Sequence, residues 1–269
     1  MLIKLFVIAV VLFIPMVFIY RKKRISVPDA FPKTWRQYLL DTIKFYRNLD
    51  AAEQKQYEDD ILYFLSNHKI TGVETDVTDE DKLLVASSAV IPIFGFPEWH
   101  YHNLDEVILY GQSFNHSHET AGSNNERNIL GMVGWGYMNG KMVLSKPSLK
   151  QGFENESSKS NVGIHEFVHL LDKADGATDG IPEALMNRQY TIPWMQMIKQ
   201  KMEAIQAGKT DINPYGGVSE TEFLPVVSEY FFNRPRLLKE KHPELYDQLQ
   251  LVFQQDPAAD SDAEKDKKG

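Results

Sequence analysis

The sequence predicts an α+β domain, predominantly helical with a small sheet, preceded by one N-terminal transmembrane helix. Three observations carry that expectation. Apolar residues recur at helical spacing early in the chain and again through its last third. Strand-like segments gather in the middle instead of alternating with helices, which argues against a doubly wound sheet. The chain opens on a long apolar run that is nearly free of charge.

That run, Leu2–Tyr20, is 19 residues long and holds one charge, Lys4. As a helix it spans about 28 Å, close to the hydrocarbon thickness of a bilayer. Arg21, Lys22, Lys23 and Arg24 follow at once, with no small-residue cleavage site before them. A cleaved signal would need such a site. Basic residues flanking a span stay on the cytoplasmic side. Residues 1–24 are therefore expected to be an uncleaved anchor in the inner (cytoplasmic) membrane, with the body of the chain in the cytoplasm. The basic cluster touches anionic headgroups.

The full chain has 269 residues, enough for a sizeable buried core. With 43% apolar and 25% charged residues it is neither a disordered nor a fibrous sequence. It contains no cysteine, which excludes a thiol nucleophile, a zinc ribbon, an iron–sulfur cluster and a disulfide scaffold. Net charge is −8, and residues 1–24 contribute +5, so the remainder carries −13. A body that acidic is a poor nucleic-acid binder, and no nucleic-acid partner is expected.

After the anchor, residues 25–33 read as a linker and 34–257 as the folded domain. A helical hairpin opens it at 34–67: Trp35, Leu39, Ile43 and Phe45-Tyr46 form one apolar stripe, and Tyr57, Ile61, Leu62, Phe64 and Leu65 a second, separated by Leu49-Asp50. Asp79, Glu80 and Asp81 favour a helix start over Thr78–Ser88. Ala89–Phe96 and Glu106–Tyr110 read as strands. Ile129–Met138 and Lys141–Leu144 read as a hairpin about Asn139-Gly140. From Asn161 to Gln255 the pattern is helical. Residues 258–269, small and charged, are expected to be a disordered tail.

Within the helical part, Gly163-Ile164-His165-Glu166-Phe167-Val168-His169 contains His-Glu-x-x-His. Residues four apart share one helix face, so both imidazoles can reach one metal. Glu166 lies about 100° around the helix, placed to work on water without being a ligand. Ile164, Phe167, Val168, Leu170 and Leu171 would bury the helix. Ser158 or Ser160 can cap its start and Gly176 can end it. A hydrolytic zinc site needs a third protein ligand. Spacing leaves three candidates open: Asp175, Glu222 and Glu229. Glu222 and Glu229 are seven apart on one later helix, and Ser219-Glu220-Thr221-Glu222 also fits a capping box that would occupy Glu222 locally.

The run Asn161–Asp172, together with Tyr215, Glu222, Ser228-Glu229-Tyr230-Phe231-Phe232 and Gln254-Gln255-Asp256-Pro257, resembles the Mlc titration factor A (MtfA) family. Phe64-Leu65 and Ile70-Thr71-Gly72 resemble it too. The likeness spans roughly residues 34–257. It implies a zincin-like zinc metallopeptidase with a catalytic domain similar to that of anthrax lethal factor, and aminopeptidase-type activity. It implies one Zn2+ per chain on His165, His169 and Glu222, with Glu166 as general base and Tyr215 as the active-site tyrosine. Glu229 then becomes a supporting carboxylate, and Asp172 either accepts a hydrogen bond from a ligand imidazole or serves the helix end. Pro225, three residues after Glu222, places a helix start or a kink near Glu222. The expected partners are a peptide or protein substrate, a regulatory protein such as a transcriptional repressor, and the membrane. Sequestration of that repressor without hydrolysis is the alternative function.

The remaining aromatic and histidine residues have plainer readings. His100, His102, His116 and His118 lie in polar, loop-like segments and read as surface histidines. Trp99, Trp135 and Trp194 read as core.

Overall fold

The computed structural model describes residues 25–112, 131–133, 140–183, 185 and 188–259. The expected anchor, residues 1–24, lies outside the described residues. Among those described, no helix is long and apolar enough to cross a membrane.

The opening hairpin is built from α1 (Lys33–Thr42), α2 (Lys44–Asn48) and α3 (Ala51–Asn67). Asp50 closes a full capping box with Glu53 at the start of α3, so the expected break at Leu49-Asp50 has a chemical cause. An additional break falls at Ile43, where the backbone turns extended. Arg36 of α1 grips Glu58 of α3 through two hydrogen bonds of 2.6 and 2.7 Å, and Tyr46 donates a third of 2.7 Å. The segment before α1 packs on the domain: Ile25 donates its N–H to the Ser66 carbonyl, and Val27 and Phe31 lie against the core.

β1 (Lys69–Val73) pairs in parallel with β2 (Glu106–Tyr110), and β2 in parallel with β4 (Lys141–Ser145). β3 (Gly131–Val133) runs antiparallel to β4 at the sheet edge, giving the order β1-β2-β4-β3. The structure departs from the sequence reading twice here. β1 had no strand signal of its own: it is a short, partly exposed segment that becomes a strand by pairing along β2. Ala89–Phe96 is not a strand. Its first five residues, Ala89–Ile93, complete α4 (Asp79–Ile93), which is buried on nearly every side, and an all-apolar run has no period by which to tell helix from strand. The expected hairpin pairs β3 with β4, Val133 standing opposite Met142. Of its expected Asn139-Gly140 turn, Asn139 lies outside the described residues, as do 134–138. Gly140 is in the left-handed region at φ 78° and its carbonyl accepts from Asp105 and Glu106.

Ser145 caps α5 (Lys146–Glu154). Then come α6 (Val162–Asp172), α7 (Thr191–Gln206), α8 (Glu220–Asn233), α9 (Pro235–Lys241) and α10 (Pro243–Phe253). α6 packs between α4 and α8 and lies beside β3. Its close approach to α4 needs Gly163: a Cβ there would meet the Ser88 hydroxyl at 2.0 Å. Phe64 and Tyr101 close on the ring of Phe167, with centroids 5.7 and 5.1 Å away. Ala258, placed in the expected tail, is buried and donates its N–H to the Tyr246 hydroxyl, while 260–269 lie outside the described residues.

Candidate metal centre

The centre forms where α6 meets α8. Asn161, not Ser158 or Ser160, caps α6: its side-chain oxygen accepts from the Ile164 N–H at 3.2 Å. The helix ends as expected, through a single 3-10 turn (Lys173–Asp175) into Gly176 at φ 98°. Between these stops, His165 and His169 share one face, their ring centroids 4.8 Å apart.

α8 supplies the third group. Ser219 makes no side-chain cap bond, and its hydroxyl pairs instead with Thr221, so the capping box that would have occupied Glu222 does not form. Pro225 sits inside the helix, whose first residue is Glu220. Glu222 is thus free to face α6. Its Oε2 lies 3.1 Å from His165 Nε2 and 3.4 Å from His169 Nε2. The three ligand atoms all fall within 4.8 Å of one another, the one such group of His, Asp or Glu among the described residues. Two imidazole nitrogens and a carboxylate oxygen on two helices are a donor set that could hold a divalent cation such as zinc.

The other two candidates separate cleanly. Glu229, two turns along α8, accepts from His165 Nδ1 at 2.8 Å and from the Asn161 N–H at 2.5 Å. It therefore fixes the ring and leaves Nε2 to face the centre. Asp175 accepts the N–H groups of Ala177 and Glu183 in an exposed loop and joins neither imidazole. Asp172 does not hold an imidazole either. Its Oδ2 accepts from the Gly180 N–H at 3.0 Å, and its Oδ1 is buried with no hydrogen-bond partner among the described residues. Burial pushes its carboxyl up to about 6.

Electrostatics follow from the crowding. Burial opposes charge on His165, but Glu229 and Glu222 outweigh it and raise the imidazole to about 10. Burial also works against the Glu222 anion, yet hydrogen bonds from His165 and His169 hold that carboxyl well below the usual range. Glu166, buried beside them, is pushed up by desolvation and by Glu222 and Glu229, against the pull of both histidines. Tyr215 lies on a 3-10 turn (Pro214–Gly217), 44% exposed, its ring 6.0 Å from that of His165.

The plainer residues keep their readings where they are described. His100 stacks on Tyr63 at 4.0 Å and joins no metal cluster. Trp194 is buried and donates to the Gly180 carbonyl. His116, His118 and Trp135 lie outside the described residues. One contributor escaped the sequence reading, Asn161, although an Asn directly before a helix is a cap signal that would have found it.

Comparison with known proteins bears on the whole domain. The profile of the glucose-regulated metallo-peptidase M90 family matches residues 18–254. An uncharacterized protein of Synechocystis is 27% identical over 236 residues, covering 84% of this chain and 85% of its own. Mlc titration factor A of Klebsiella pneumoniae is 24% identical over 239 residues, covering 84% and 87%. The Mlc titration factor A of Pectobacterium atrosepticum is 33% identical over 128 residues, 45% of this chain and 47% of its own.

Proposed function

The chain belongs to the glucose-regulated metallo-peptidase M90 family, the Mlc titration factor A family of zinc metallopeptidases, and from that premise we propose that it is a zinc-dependent peptidase whose metal ligands are His165, His169 and Glu222. The observation that carries this reading is the set of three ligand atoms, mutually within 4.8 Å, beside the buried Glu166.

A divalent cation held there would polarise a water and the carbonyl of a peptide bond. The chain's own residues do the rest. Glu229 keeps the His165 ring oriented through Nδ1. Glu166 takes a proton from the attacking water and returns it to the leaving amine as the peptide C–N bond breaks. Tyr215 donates its hydroxyl to the developing oxyanion. β3, at the sheet edge beside α6, receives extended peptide by strand addition. Aminopeptidase-type cleavage is the expected form. Leu2–Tyr20 anchors the chain in the cytoplasmic membrane and holds the domain on the cytoplasmic side, a reading supported by the four basic residues that follow it.

The test is peptide hydrolysis and metal content of the full-length chain beside its Glu166→Gln variant. The variant should keep the metal and lose turnover, and persisting turnover contradicts the mechanism. A second reading is favoured by the relatives' name, titration factor: the domain sequesters a regulatory protein such as a transcriptional repressor. In that case Glu166→Gln would retain the full biological effect.

A further inference from the structure

Asp211 lies between α7 and the turn that carries Tyr215, and its one carboxylate collects four donors. Oδ2 accepts from Lys159 Nζ at 2.7 Å, Lys241 Nζ at 3.0 Å and the Tyr230 hydroxyl at 3.0 Å, while Oδ1 faces His242 Nε2 at 2.7 Å. Lys159 also donates to the Asp211 carbonyl at 2.7 Å and lies 4.6 Å over the Tyr230 ring. Two of these partners adjoin or lie on the helices that build the candidate centre. Lys159 is two residues before Asn161, which caps the His165 helix. Tyr230 directly follows Glu229. Lys241 and His242 join α9 to α10.

On the other side of Asp211 the chain has little freedom. Ile212 is buried, the Asn213 side chain accepts the Tyr215 N–H at 3.0 Å, and Pro214 fixes the next φ. The turn closes through Gly216 N–H to the Asn213 carbonyl and Val218 N–H to the Tyr215 carbonyl. Tyr215 itself is too exposed to be held by burial. The backbone that carries Tyr215 is tied to α6 and α8 at Asp211, so this tie helps set how far the Tyr215 ring stands from that of His165.

We propose that Asp211 is a positioning residue that clamps the Tyr215 turn against the two helices carrying His165 and Glu222. It touches neither metal nor substrate and acts through Tyr215; in that respect the inference rests on the peptidase reading, in which Tyr215 steadies the oxyanion. A carboxylate is required because the site gathers two ammonium groups, which a neutral side chain would leave opposed.

The experiment is a double-mutant cycle on the full-length chain, with kcat and KM on a peptide substrate for wild type, Asp211→Asn, Tyr215→Phe and the double variant. Amide hydrogen exchange is read on the same proteins. If Asp211 acts through Tyr215, Asp211→Asn lowers kcat about tenfold with KM nearly unchanged, less than the roughly hundredfold that a full misplacement of about 1 Å can cost. The double variant is then no slower than Tyr215→Phe alone. Exchange at the Tyr215, Gly216 and Val218 amides rises about tenfold while the His165 amide keeps its protection. Lys241→Met, which removes one exposed donor, shifts both readouts the same way by less, and serves if Asp211→Asn folds poorly. Additive losses in kcat, or unchanged exchange in the turn, overturn the proposal. Full turnover in Tyr215→Phe beside a dead Glu166→Gln overturns it too and leaves the peptidase reading standing. If turnover survives Glu166→Gln, that reading fails, and the exchange measurement still decides whether Asp211 holds the turn.

Discussion

Glu222 and Asp211 are both carboxylates ringed by basic side chains, and the two rings do different things. Glu222 faces two imidazoles across 3.1 and 3.4 Å. Asp211 faces two ammonium groups, a phenol and an imidazole at 2.7 to 3.0 Å. Both carboxyls are held well below their usual range by hydrogen bonds that outweigh their burial. The difference lies in the partners. An imidazole can give up its proton and present a lone pair to a cation, whereas an ammonium near neutral pH has none to give. We read the first ring as a ligand set and the second as a clamp. A tight acid–base cluster is thus no sign of a metal site until its donors are counted for lone pairs.

The sharpest way to break that contrast is to remove each carboxylate in turn. Glu222→Ala should weaken metal binding by more than about a hundredfold, the loss of a direct ligand exceeding that of a supporting group. Asp211→Asn should leave metal binding within about twofold, because it touches no ligand. Equilibrium dialysis against a zinc buffer reads both. Glu229→Gln comes next. It frees the His165 ring and should cost about 10- to 100-fold in metal affinity, as expected for a carboxylate behind a ligand imidazole.

Proton competition sharpens the comparison further. With His165 raised to about 10, the imidazole holds its proton at neutral pH, and a metal must displace it. Metal affinity should therefore fall as pH falls, by about tenfold per unit for one proton released. The Asp211 clamp responds differently. Its carboxyl is depressed, so its contribution to stability is present above the ordinary aspartate range and is lost only as pH falls well through it. A metal titration independent of pH between about 6 and 9 would contradict the proton-displacement account.

The smallest expected effect belongs to Asp172. Its carboxyl is raised to about 6 by burial, so the folded state keeps a proton that the unfolded chain releases near 4. Stability from this group is full in acid, falls as pH rises through that window, and is flat above it. Asp172→Asn should remove that slope. Denaturant unfolding of both chains at several pH values checks it, and parallel curves would refute it.

What could be read from the sequence divides along the same line. The metal helix was legible because His165, Glu166 and His169 lie within one turn and a half, so local geometry alone brings them together. Glu222 and Glu229 were legible as a pair by their spacing, but which one meets the Nε2 atoms depends on how α8 crosses α6. Asp172 was given an imidazole or helix-end role, and a loop N–H at Gly180 took its carboxylate. Asp211 carried no signal, since its partners lie as far off in sequence as Lys159 and His242. In the fold, the break read at Leu49-Asp50 and the helix start read from Asp79, Glu80 and Asp81 both hold, and a complete capping box underlies each. Ala89–Phe96 misled because a fully buried apolar run has no polar face from which to read a period. β1 was illegible because a five-residue strand with exposed ends is defined by its neighbour.

The central claim is that His165, His169 and Glu222 hold the metal and that the Asp211 ring does not. Metal content of the purified full-length chain after zinc loading tests it most directly, measured beside Glu222→Ala, Glu166→Gln and Asp211→Asn. The account predicts about one zinc per chain in wild type, Glu166→Gln and Asp211→Asn, and almost none in Glu222→Ala. Zinc retained at full occupancy by Glu222→Ala, or lost in Asp211→Asn, would contradict it.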